Sequence, residues 1–153
     1  MVRGHALGVV LAGALALTGC AAAEGELGPL GRAGCDPASP AVGMVTEATA
    51  SDGVTAFGLL ETADPRELTA GDTVHKLIVR MTGSGDLSAE VVRPDGSTRD
   101  PDWGPESHAS SNFDRPGDEW GIGFALDEPG CWEIRLAREG GDSASFWFAV
   151  DDG

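Results

Sequence analysis

From about residue 42 onward the chain alternates apolar and polar positions in short runs. Residues 74–82 (VHKLIVRMT) put His75, Leu77, Val79 and Met81 on one face and Lys76 and Arg80 on the other. Residues 87–93 group Leu87, Ala89 and Val91 against Ser88 and Glu90. Trp120, Ile122, Phe124 and Leu126 repeat every second residue, with Gly121, Gly123 and Ala125 between them. Residues 131–138 (CWEIRLAR) point Trp132, Ile134 and Leu136 one way, and 144–150 (ASFWFAV) close the series. A period of two is the mark of a strand with one face buried. Weaker runs at 42–49 and 54–60 precede these, and Pro94-Asp95-Gly96, Pro129-Gly130 and Gly140-Gly141 supply turns. Residues 61–70 admit at most one turn of helix around Pro65. The pattern predicts an all-β domain: an antiparallel β-sandwich of about seven strands, immunoglobulin-like in kind.

Ahead of the alternating part the pattern changes. Arg3 is followed by an uncharged run, Ala6 to Leu17, and then Leu17-Thr18-Gly19-Cys20. The run is about 12 residues, short of the roughly 20 that cross a bilayer, and it has the length of a signal-peptide core. The Leu, two small residues and Cys resemble the lipobox of bacterial lipoproteins. That resemblance implies removal of residues 1–19, a diacylglycerol on Cys20, and a chain held at a membrane on the extracytoplasmic side. Two acyl chains anchor stably, where one binds reversibly. Residues 20–34 are small and Gly-rich after the lipidated cysteine and read as a flexible tether, with a reach of about 20 Å. The folded domain is expected over 35–153.

Composition narrows the partners. There are 25 Asp and Glu against 10 Lys and Arg, a formal net charge of -15. Nucleic acid is thereby excluded as a partner, because phosphate binding draws on Lys and Arg. Anionic lipid would repel the globule, which leaves membrane attachment to the Cys20 lipid. Of the three cysteines, Cys20 is assigned to lipid, and Cys35 and Cys131 remain as an even pair in an oxidising compartment, where a disulfide is expected. Cys131 has the opposite parity to Trp132, Ile134 and Leu136. The bond should therefore lie off the core and clamp the N-terminal segment across the end of the sandwich.

The most distinctive stretch runs from Trp103 to Trp132, WGPESHASSNFDRPGDEWGIGFALDEPGCW. It resembles a group of small secreted and lipid-anchored proteins of Gram-positive bacteria. They share a Trp-Gly-Pro-Glu…His segment, an Asn-aromatic-Asp-Arg-Pro-Gly turn, Glu-Trp-Gly-x-Gly-Phe and Pro-Gly-Cys-Trp. Phe113 stands here where Trp is expected. The resemblance covers roughly the last half of the chain and implies compartment and fold without a substrate.

The segment from about Asp100 to Glu119 reads as a long polar loop, and long loops without secondary structure are commonly functional. Trp103, Glu106, His108, Asn112, Asp114, Arg115 and Trp120 are its candidate ligand-binding residues, offering aromatic platforms and hydrogen bonds to a sugar, peptide or other envelope ligand or protein. The competing reading is structural, with Trp103 and Trp120 covering the sandwich edge and Asp114 paired with Arg115. Glu106, His108, Asp114, Asp118 and Glu119 also offer oxygens and one imidazole to a metal ion, though at no recognised spacing. Catalysis has less support. Gly83-Ser84-Gly85 is not the Gly-x-Ser-x-Gly of a nucleophile elbow, no phosphate-cradling motif is present, and no cofactor is implied. A non-enzymatic binding or interaction module is the expected function, with a metal-stabilised or weakly enzymatic envelope domain as the alternative.

Overall fold

The computed structural model describes residues 38–109 and 111–153, together with Met1 and Cys35. Cys20 and the leader and tether assigned to 1–34 lie outside these residues, Met1 apart. The described chain is all β, with no helix, in twelve strands: β1 (Ala41–Val42), β2 (Val45–Glu47), β3 (Thr49–Ala50), β4 (Ala56–Leu60), β5 (Leu68–Thr69), β6 (Gly71–Met81), β7 (Leu87–Val92), β8 (Thr98–Arg99), β9 (Trp103–His108), β10 (Asp118–Leu126), β11 (Gly130–Arg138) and β12 (Ser143–Asp151). Seven of them have five residues or more. The possible helical turn at 61–70 is replaced by turns and the short β5.

Two sheets pack face to face. The first runs β1-β2-β4-β6-β10-β9 and the second β3-β12-β11-β7-β8, with β5 added in parallel to the end of β12. All other pairings are antiparallel. The inner faces are those the alternation marks. Leu77, Val79, Met81, Ile122, Phe124 and Leu126 from the first sheet meet Val91, Trp132, Ile134, Leu136, Phe146 and Phe148 from the second in one apolar core. Burying each such side chain contributes about 1.5–3 kcal/mol. Trp120 belongs to this inner layer and is 5% exposed.

One end of the sandwich is tied by a buried arginine. Arg138 donates to the carbonyls of Met81 and Gly85 and to Asp118 Oδ2, and its guanidinium lies 4.3 Å from the centre of the Trp120 ring. It thus joins β11 to β6, to the β6–β7 crossover and to the start of β10.

Cys35 and Cys131 are disulfide-bonded, with Cα atoms 5.0 Å apart. Cys131 pairs with Ala149 across β11 and β12, and its parity turns it to the outer face of the second sheet. Ser39 then exchanges hydrogen bonds with the backbone of Trp147 on β12. The bond fixes the N-terminal segment along the outside of this sheet and leaves the core apolar.

The segment expected to be one long loop is largely not a loop. Residues 103–108 form β9, which pairs with β10 and makes the edge of the first sheet. Only 109–117 connects the two strands. A proline is tolerated in a strand at an edge, where no neighbour requires its missing N–H, and Pro105 occupies such a place.

Candidate functional site: the outer face of the first sheet

Residues opposite one another in an antiparallel sheet point to the same side, so the register defines rows on the outer face. One row is His108, Glu119, Arg80 and Phe57; the next is Glu106, Gly121, Ile78 and Leu59; a third holds Trp103, Gly123 and Lys76. Strict alternation along β9 would put Trp103 and His108 on opposite faces, since they are five positions apart. They share a face because the β9–β10 register shifts between Gly121 and Gly123. Gly104, in this stretch, has φ +79°, a backbone that L side chains rarely adopt.

Trp103 is seated on glycine. A Cβ built on Gly123 would fall 1.8 Å from Trp103 Nε1, and one on Gly121 would lie 3.2 Å from both Trp103 Cζ3 and His108 Nε2. The indole therefore rests on a strip of backbone that only glycine leaves open, with the imidazole beside it. Both side chains are half-buried, and Glu106 next to them is exposed.

Behind His108 lies a buried carboxylate. The Glu119 side chain is 1% exposed. Its Oε2 accepts from Arg80 Nε at 2.9 Å and from Ser111 Oγ at 2.5 Å. Arg80 also donates to the Gly117 carbonyl, and the Ser111 hydroxyl accepts from the Phe113 backbone N–H. The 109–117 connection is thereby folded down over Glu119, with Phe113 buried and Arg115 stacked 5.4 Å from the centre of Phe57 and 5.8 Å from Phe113. The other oxygen, Oε1, is buried with no hydrogen-bond partner among the described residues. His108 Nδ1 is 3.6 Å from it. A buried polar atom without a partner costs about 1–3 kcal/mol.

An open polar cavity of about 240 Å³ adjoins His108, lined by Arg80, Gly85, Asp86, Ser107, His108, Ala109, Gly117, Asp118, Glu119 and Trp120. Its lining includes the carboxylates of Asp86, Asp118 and Glu119 and the guanidinium of Arg80. Asp118 is engaged from one side by Arg138, yet its side chain stays 68% exposed.

Of the residues expected to bind a ligand, the structure gathers Trp103, Glu106 and His108 on one face. Asn112 and Asp114 are exposed on the connection, and Arg115 turns back onto the two phenylalanines. The local Asp114–Arg115 contact is made through the Asp114 backbone carbonyl. Trp120 is on the opposite, inner face. Among the described residues no three His, Cys, Asp or Glu side chains come together in a metal-binding group. Sequence reasoning missed Arg80 and Ser111 as parts of this site. The available signal was Arg80 standing on the polar face of the strongest alternating strand; Ser111 gave none. His75, placed by the alternation on the apolar face of its strand, is 8% exposed on the inner face, with Nδ1 3.0 Å from Thr62 Oγ1, and burial lowers its pKa.

Compared with protein-family models, curated proteins and solved structures, the chain matches none.

Proposed function

We propose that the chain is a lipid-anchored extracytoplasmic binding module without catalytic activity. Cys20 carries the lipid, 20–34 forms the tether, and the outer face of the first sheet meets an envelope ligand. The observation that carries the binding role is the seating of Trp103. A large aromatic side chain lies on a glycine strip outside the apolar core, flanked by His108 and Glu106. An aromatic body with polar groups at its rim suits recognition surfaces. The extracytoplasmic assignment draws support from the disulfide, since such bonds persist in oxidising compartments. The resemblance of residues 103–132 to small secreted Gram-positive proteins and the immunoglobulin-like description of the sandwich belong to the same proposal. In immunoglobulin domains the cystine crosses the core, whereas here it lies outside, so the likeness would be one of architecture.

Two measurements test the reading. Metabolic labelling with a fatty-acid probe should mark the wild-type chain and not Cys20→Ala; equal labelling refutes the anchor. Sedimentation with isolated cell-wall sacculi should carry down the wild-type protein and lose Trp103→Ala at unchanged stability. Equal sedimentation of the two proteins removes the binding face.

A further inference from the structure

We propose that Trp103 and His108 Nε2 form a two-point recognition unit for a neutral saccharide, and that Glu119 is the residue that positions His108. The inference rests on the binding role of this face and names its ligand class.

The chemistry of the face selects the ligand. The indole of Trp103 offers a flat apolar surface, which suits the C–H face of a sugar ring. Beside it stand Glu106 and His108, and the cavity on the far side of His108 adds the Asp86 and Asp118 carboxylates and the Arg80 guanidinium. Such a surface matches a ligand with one apolar face and many hydroxyl donors at its edge. The cavity is polar and open, and so offers no apolar slot for a hydrophobic peptide side chain. The net charge of -15 disfavours acidic glycans.

Glu119 explains how one imidazole nitrogen is reserved for the ligand. Its Oε2 is fixed by Arg80 and Ser111, and its unpartnered Oε1 faces Nδ1 of His108 at 3.6 Å. At 3.6 Å the contact is one of charge, longer than a hydrogen bond; the negative Oε1 favours the ring proton on Nδ1, which leaves Nε2 as an acceptor. Nε2 lies over Gly121 on the Trp103 side, so a hydroxyl donating to it would belong to a sugar stacked on the indole.

The test uses the full chain in a sugar-free detergent, titrated calorimetrically with chitotetraose, cellotetraose and, as the acidic control, a galacturonate tetramer. A neutral tetrasaccharide should bind, and the acidic one more weakly. Trp103→Ala should weaken binding about tenfold, the scale of one lost aromatic contact. Gly123→Ala, whose methyl occupies the place of the indole nitrogen, should do the same; Trp103→Ala decides the point if that variant does not fold. In Glu119→Gln the negative oxygen facing Nδ1 is replaced by an amide –NH₂, which offers protons toward it. The ring proton should then move to Nε2, visible in the ¹⁵N shifts of His108, with saccharide affinity falling several-fold. An unchanged tautomer in Glu119→Gln overturns the positioning role. Absence of binding by either neutral tetrasaccharide at millimolar concentration overturns the ligand class. If sedimentation with sacculi still depends on Trp103 in that case, the binding face stands and the saccharide falls; if it does not, both fall.

Discussion

Glu119 and Glu133 make a matched pair, one on the outer face of each sheet. Both are buried, at 3% and 6% exposed, and each is held by an arginine and a serine hydroxyl. Their second oxygens differ. Glu133 Oε2 accepts from Arg135 Nη2 at 2.8 Å and Oε1 from Ser145 Oγ at 2.6 Å, so both are satisfied, and Arg135 reaches on to Glu90. Glu119 Oε2 takes both of its donors and Oε1 takes none. The second sheet thus closes its polar groups on themselves, while the first keeps one acceptor uncompensated beside a half-exposed histidine. A closed network rigidifies a surface, whereas a buried polar atom left open calls for its own explanation. Here the open atom stands at the edge of the face that also carries Trp103.

The comparison can be broken in several ways, taken from the largest effect down. The second sheet also carries the disulfide, which closes a loop with a sequence separation of 96. Replacing both cysteines by Ala should lower stability by up to about 4.7 kcal/mol on chain-entropy grounds. Urea unfolding measures it, and a loss under 1 kcal/mol would show that the clamp does not restrain the unfolded chain.

Arg80→Ala should cost about 3 kcal/mol, because it strands a buried carboxylate. Arg135→Ala should cost only about 1 kcal/mol, since that pair is more open to solvent: the Arg135 side chain is 49% exposed against 19% for Arg80. Equal urea midpoints for the two variants would remove the asymmetry between the faces.

The sharpest version exchanges each glutamate for glutamine. At position 133 every orientation of the amide sets its –NH₂ against a donor, and a loss of about 2 kcal/mol is expected. At position 119 the –NH₂ can take the Oε1 position and donate to His108 Nδ1, so about 1 kcal/mol is expected. An equal cost at the two positions would remove the difference between the two glutamates.

The smallest effect concerns His75, on the inner side of the first sheet. Burial lowers its pKa from the ordinary 6.5. Between that lowered value and 6.5 the unfolded chain binds more protons than the folded one. Stability present above pH 6.5 is therefore lost as pH falls through this window. His75→Gln should flatten that part of the stability–pH profile, and an identical slope in the variant would assign it to other groups.

Much of the sandwich was readable from single strands. The buried faces of β6, β7, β10, β11 and β12 follow from period-two alternation, as does the outward turn of Cys131. The site was readable only in part. Trp103, Glu106 and His108 stood out as residue types, but the loop reading hid the strand that carries them. Gly104 and Pro105 lower strand propensity locally, and β9 exists because β10 offers it a partner edge. Arg80 and Ser111 sit 39 and 8 residues from Glu119, and no local pattern brings the three together.

The chain by itself therefore determined which residues alternate, which side of each strand is apolar, and that Cys131 faces away from the core. Those are local properties, set by the two-residue repeat of an extended backbone and by composition. Tertiary structure alone decided that Trp103 and His108 share a face, that a glycine strip receives the indole, and that Glu119 is buried with one oxygen open. Each depends on the register between β9 and β10 and on the 109–117 connection folding back. Register is a relation between strands, and a single shift within it reverses the face on which a side chain appears.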